Sequence, residues 1–358
     1  MVFQGEIMNA RIVLEYFSSV AAQIILMILS AAIVVYLFVK PVTEFKSVGK
    51  ESFVMKVTPE VIAKWGKEPM HVKTGFMIHE FLQFDTIKNS FLMNAVISFE
   101  FDPTKVSQDV IDKFSFTKGD MVKKSDPVVK KISDNLTFVQ YYIRIQSSAL
   151  FDYAMFPLDD HKFSLNLTNN AVEAQNVIFD VSSENFSIPQ YVFLSGWHIV
   201  SHEPMSGYVE FTSQENQPVQ HPKVRFTVDI KKQDLRQLLL IFLPLFILFY
   251  ISIFILAVKD FATDLNTMLF VITAYVANAI VIQGMSPDVG YFMLLDYFVL
   301  FFLIVMFIVF VITFLGTLPE ETFSKDLLAM LRGFLVICIY VTLIAATYYL
   351  THVYKIGA

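Results

Sequence analysis

The stretch VRFTVDIKKQDLRQLLLIFLPLFILF, Val224 to Phe249, changes its repeat halfway along. VRFTVDI (Val224 to Ile230) sets apolar residues at every second position, the period of a strand with one buried face. Beyond Lys231, Lys232 and Arg236, an uncharged apolar run extends from Leu238 to Val258. About 20 such residues cross the ~30 Å of hydrocarbon in a bilayer. A β-rich module therefore ends here and a membrane segment begins.

Working outward, four more runs meet the same criterion: Val20 to Val39, Leu265 to Met285, Phe292 to Leu315 and Phe334 to Leu350. Of the 358 residues, 55% are hydrophobic and 17% charged, 37 are Phe, and the mean hydropathy is +0.56. That composition is an integral membrane protein's. The net charge of −6 carries no nucleic-acid footprint. The single cysteine, Cys338, lies in an apolar run, so neither an intrachain disulfide nor a thiolate metal site can form. No hydrolase elbow, phosphate loop, H-E-x-x-H or dinucleotide fingerprint occurs, and neither an enzyme nor a cofactor is expected.

The first apolar run, preceded by Arg11 and Glu15, is either a retained anchor or a secretory signal. Its length exceeds the roughly 7 to 15 apolar residues of a signal core, which favours the anchor. Residues 1–40 are thus an N-terminal membrane helix, 41–234 a β-domain and 235–358 a four-helix membrane domain. In the β-domain, FSLNL (Phe163 to Leu167) and GYVEFT (Gly207 to Thr212) alternate like VRFTVDI, with turns such as FDPT (Phe101 to Thr104) and SIPQ (Ser187 to Gln190) between strands. Such strands bury one face against a second sheet, which predicts a β-sandwich. KGDMVKKSDPVVKK (Lys118 to Lys131) is expected to be a solvated loop. The basic residues flanking the β-domain would, by the positive-inside rule alone, place it in the cytoplasm, although long domains translocate largely regardless of charge.

AMFPLDDHKFSLNL (Ala154 to Leu167) resembles the signature loop of the pentameric ligand-gated ion channels, with Ala149 and Phe163 where animal receptors carry two cysteines, as in the bacterial branch. VKTGFMIHEFLQFDTIKNSF (Val72 to Phe91) and AVISFEFDP (Ala95 to Pro103) are similar to that family's first two strands. The opening stretch resembles its last strand and first channel helix, with Pro244 at the helix proline. SPDVGYFMLLD (Ser286 to Asp296) resembles the loop between the second and third channel helices.

The resemblance implies a homopentamer in a bacterial cytoplasmic membrane, with a periplasmic or extracellular sandwich above four channel helices and one added N-terminal helix. It implies a gating interface of Asp85, Pro157, Asp159, Asp160, Lys232, Pro287 and Tyr291, with Asp159 or Asp160 facing Lys232. It also implies a pore lined by Asp264, Asn266, Phe270, Thr273, Ala277 and Ile280, in which a ring of five Asp264, reinforced by Asp260, would favour cations. Phe270 would form a dewetting gate or a permanent plug. The segment Ser213 to Pro222 holds no aromatic residue for an amine-binding cage, and Tyr191, Phe193 and Trp197 are expected in the sandwich core. The agonist is left as an unknown small molecule or the proton, and His161, His198 and His202 are expected to be ordinary surface residues, with no metal site. Membrane lipids are expected partners. Small residues in SSVAAQ (Ser18 to Gln23) and SAA (Ser30 to Ala32) offer a helix-packing stripe to a membrane partner or to the protein's own bundle. The first option would suit a non-conducting pentameric receptor or scaffold.

Overall fold

The computed structural model describes residues 16–17, 19–44, 53–149, 151–212, 218–232, 235–257, 261–319 and 324–353. In chain order its main elements are α1 (Val20–Thr43), α2 (Pro59–Trp65), β1 (Met70–Asp85), β2 (Ser90–Phe101), α3 (Gln108–Ile111), β3 (Ser115–Thr117), β4 (Gly119–Lys124), β5 (Val128–Ser133) and β6 (Leu136–Ser148). Then come β7 (His161–Thr168), β8 (Val177–Asp180), β9 (Phe186–Ser187), β10 (Trp197–Thr212), β11 (Pro218–Lys232), α4 (Leu235–Phe254), α5 (Phe261–Met285), α6 (Leu294–Gly316) and α7 (Lys325–Tyr348). The chain divides into two compact units. One comprises Met1–Phe45, Tyr153–Asp159 and Asp234–Ala358, and the other Lys46–Asp152 and Asp160–Gln233.

The second unit is one hydrogen-bonded sheet in the order β10-β11-β7-β3-β4-β6-β2-β1-β8, with β5 on β6 and β9 on β1. It folds back on itself: Phe76 of β1 stacks on Phe226 of β11 with centroids 4.6 Å apart, although the two strands lie near opposite ends of the strand order. A sandwich results. Phe91, Phe99, Phe163 and Phe186 fill its interior at 2% exposure or less, and each buried aromatic ring removes about 150–250 Å² from water. Glycine is required at 207, where a Cβ would stand 2.1 Å from the Met55 carbonyl. Met55 and Tyr208 exchange two backbone hydrogen bonds of 2.9 Å at that crossing.

Two expectations fail in this unit. Lys118 to Lys131 is no loop: β4 and β5 both pair with β6. Exposed Lys side chains conceal a strand from a periodicity argument, because cross-strand pairing supplies what the local pattern lacks. Tyr191 and Phe193 are 70% and 72% exposed and stay out of the core. Their alternation belongs to a turn, opened by Val192 N–H donating to the Pro189 carbonyl and closed by Gly196 at φ +80°.

In the first unit, five helices among the described residues are long and apolar enough to cross a membrane. One face of α1, with Ala22, Ser30, Val34, Leu37 and Phe38, is buried within that unit. Ser30 Oγ lies 3.2 Å from the Tyr250 hydroxyl of α4, and Phe38 packs edge-on against Phe242 at 5.1 Å. The small residues Ala22 and Ser30 thus pack in the chain's own bundle, while Ile25, Ile28, Val35 and Tyr36 on other faces are exposed. α7 starts at Lys325, nine residues before the expected boundary at Phe334. Arg332 reads as the edge of an apolar run, but the helix continues through it because the guanidinium is buried against a carboxylate.

Candidate functional site

Helix α5 has two unlike faces. Asp264, Met268, Val271, Tyr275 and Ile282 recur at three-, four- and seven-residue steps and are all buried. The Tyr275 hydroxyl fastens this face to α6 by donating to the Val299 carbonyl. On the opposite side Asn266, Phe270, Thr273, Ala277 and Ile280 form an exposed stripe, with Phe270 at 77% exposure and Ile280 at 65%. Only 22% of the α5 span is buried, against 33–39% for the other four long helices. It is also the least apolar of the five. The exposed Asn266 amide of this stripe would be costly to leave against lipid, whereas the Thr273 hydroxyl donates to the Leu269 carbonyl within the helix.

Asp264 does not belong to that stripe. Its neighbour in the expected lining, Asn266, is two residues on, about 200° around an α-helix. The structure turns Asp264 inward, where its carboxylate lies 3.9 Å from Arg332 of α7 and both side chains are buried. A buried carboxylate beside a guanidinium is compensated and withdrawn from the exposed face. Sequence reasoning missed Arg332; a lone arginine inside an apolar run was the available signal. Asp260 lies outside the described residues.

The segment Tyr153–Asp159 holds the start of α6. The first N–H groups of a helix have no partner within it. Here Leu294 N–H donates to the Ala154 carbonyl at 2.8 Å and Leu295 N–H to the Phe156 carbonyl at 3.3 Å. Tyr153 N–H donates to the Tyr291 hydroxyl at 3.0 Å, and Met293 N–H to the Asp296 carboxylate at 2.8 Å. The Phe156–Pro157 bond is cis, and Pro157 and Pro287 are both buried. The loop continues covalently into β7, so a strand and the entrance to α6 are linked by a few residues of backbone.

The sheet unit carries the remaining expected residues. Asp160 accepts a hydrogen bond from the backbone N–H of Lys232 at 3.2 Å, and the Lys232 ammonium lies 5.7 Å from the centre of the Trp197 ring. Asp85 accepts from Lys88 N–H at 3.0 Å in the β1–β2 turn. His161 is not a surface residue: it is 2% exposed, between the rings of Phe151 at 4.7 Å and Trp197 at 4.9 Å. Asp160 and His161 are thus consecutive buried ionisable side chains of this unit, and Asp159 is buried at the end of the Tyr153–Asp159 loop. No group of three or more metal-ligating side chains occurs among the described residues. Residues 213–217 of the expected capture loop lie outside the described residues.

No protein-family model matches the chain. It is similar to a proton-gated ion channel of Gloeobacter violaceus, at 23% identity over 242 residues that make up 63% of this chain and 66% of that protein. The match therefore spans just under two thirds of the relative's length.

Proposed function

We propose that the chain is one subunit of a homopentameric ligand-gated ion channel of a bacterial cytoplasmic membrane. Five α5 helices surround its conduction path, and the sandwich, residues 41–234, stands outside the cytoplasm and moves the helices through the Tyr153–Asp159 loop. The observation that carries this proposal is the α5 stripe Asn266, Phe270, Thr273, Ala277, Ile280, exposed opposite a face spent on the chain's own bundle. Repetition around an axis is the arrangement that keeps such a stripe from lipid. The distant likeness to a proton-gated ion channel supports the same function. A proton agonist is supported by that likeness alone. Lipid would contact the exposed apolar side chains of α1.

The cation preference expected from an Asp264 ring loses that ground, since Asp264 pairs with Arg332. Inorganic cations are retained as the permeant ions on the chain's net charge of −6 alone, and the reversal potential under a salt gradient decides the sign. Phe270, the most exposed residue of the stripe, favours a second function: a closed, non-conducting pentameric receptor.

Projection images of the solubilised full-length protein, followed by planar-bilayer recordings during steps to acidic pH, test both. Fivefold particles with proton-evoked currents are expected. Fivefold particles that stay silent, with Phe270→Ala also silent, would favour the receptor. Twofold or threefold particles would overturn both.

A further inference from the structure

Lys223 is buried on the side of β11 that faces away from the core. The core-facing residues of that strand are Val224, Phe226, Val228 and Ile230, so Lys223 and Arg225 alternate onto the outer face of the sheet. A lysine in such a place ordinarily keeps its ammonium in water and is almost never fully buried unless paired. Lys223 is 6% exposed, because the chain ahead of α2 crosses over it. Its cross-strand neighbour is Gly207 of β10, where the Met55 carbonyl passes so closely that no Cβ fits. Lys223 Nζ donates to the Phe53 carbonyl at 3.1 Å.

Among the described residues no acid is paired with this lysine. The charged groups that act on it, Arg225 two residues along the same face and Lys118 after β3, are both cations. Burial first, and those neighbours after it, favour the neutral amine over the ammonium. A neutral lysine amine is a nucleophile, and desolvation beside another cation is a recognised way of activating one.

The surroundings select the electrophile. An aldehyde or ketone would lose water and leave an imine, which brings no negative charge to Arg225 and Lys118. Carbon dioxide adds with no leaving group. The Nζ lone pair forms the new N–C bond, one C–O π pair moves onto oxygen, and an amine proton passes to bulk water, with nothing oxidised or reduced. The product is a carbamate anion near two cations, and it keeps one N–H for the Phe53 carbonyl. Carbon dioxide is also small and uncharged, so it meets a covered amine without stripping water from an ion.

We propose that Lys223 is a reversible carbon dioxide site, forming a carbamate at Nζ that Arg225 and Lys118 stabilise. The proposal goes beyond channel function and holds whether or not the protein conducts. To test it, the solubilised full-length protein is equilibrated with isotopically labelled bicarbonate, which supplies labelled carbon dioxide. Triethyloxonium ion then ethylates any carbamate before digestion and mass spectrometry. Labelled ethyl carbamate is expected on Lys223 at about tenfold or more the level on the exposed Lys131, since each unit of lowered proton affinity raises the neutral fraction tenfold. Lys118 is exposed and asparagine adopts its φ of +62°, so Lys118→Asn should fold normally and cut the Lys223 label several-fold. Lys118→Arg, which keeps the charge, should retain the label. Labelling of Lys223 no greater than that of Lys131, or undiminished in Lys118→Asn, would overturn the proposal.

Discussion

Asp264–Arg332 in the bundle and Lys123–Arg144 on the sheet are two charged pairs with opposite histories. In the first, unlike charges are buried together 3.9 Å apart, in a region where neither could stand alone. In the second, like charges face each other across two strands beside an open cavity. The difference teaches that charge type says little about role until burial and partners are known. Asp264 was expected in the pore lining from the family resemblance and lies buried beside Arg332 in the fold. Lys123 was expected in a solvated loop and lies on β4 opposite Arg144 of β6.

The largest test of that contrast is Arg332→Met, which leaves Asp264 buried without its guanidinium. Breaking a buried pair from one side costs about 3–5 kcal/mol. A strong fall in the melting temperature of the solubilised protein is expected, and Asp264→Asn in the same chain should recover most of it. An unchanged midpoint in Arg332→Met would mean that the pair is not closed. The next test is Tyr291→Phe, which deletes one hydrogen bond to the Tyr153 backbone, worth about 1 kcal/mol. In a channel gated through the Tyr153–Asp159 loop this should move the activation curve by roughly fivefold in agonist concentration. The melting temperature should change little.

Lys223 sharpens the comparison further, being a buried lysine with no acid paired to it among the described residues. Burial first, then Arg225 and Lys118, lower its pKa below the usual lysine value. The folded state therefore binds fewer protons than the unfolded chain between the lowered value and about 10.4. Stability should rise with pH across that window. Lys223→Met should raise the melting temperature slightly at neutral pH, with the gap to the wild type closing as pH climbs. The smallest effect belongs to Lys131→Gln. Its partner Asp134 is only 2.7 Å away, yet the two side chains are 65% and 96% exposed. No measurable shift is expected, because solvent-exposed pairs contribute little however short they are.

Much of this architecture is legible along the chain. The five apolar runs and the strands Phe163 to Leu167 and Val224 to Ile230 follow from local periodicity, while the stripe from Asn266 to Ile280 was legible only through the family resemblance. Periodicity fails where a residue's neighbour is remote. The start of α7 was hidden by Arg332, whose partner lies 68 positions earlier at Asp264. β4 and β5 were hidden because their support comes from β6. The register slip between Ile78 and Glu80 was not read from the sequence, because it shows only against Asn94 and Arg144 lying opposite.

The sequence by itself determined that this chain enters a membrane and that a β-module precedes four apolar helices. Those properties arise from how much apolar surface each segment must remove from water, a quantity written in composition and spacing. Only the tertiary structure decided which charges meet: Asp264 with Arg332, Lys123 with Arg144, the Ala154 and Phe156 carbonyls with the first turn of α6. Electrostatic and hydrogen-bond energies depend on distances of a few ångströms between groups far apart in the chain, and no local pattern fixes those.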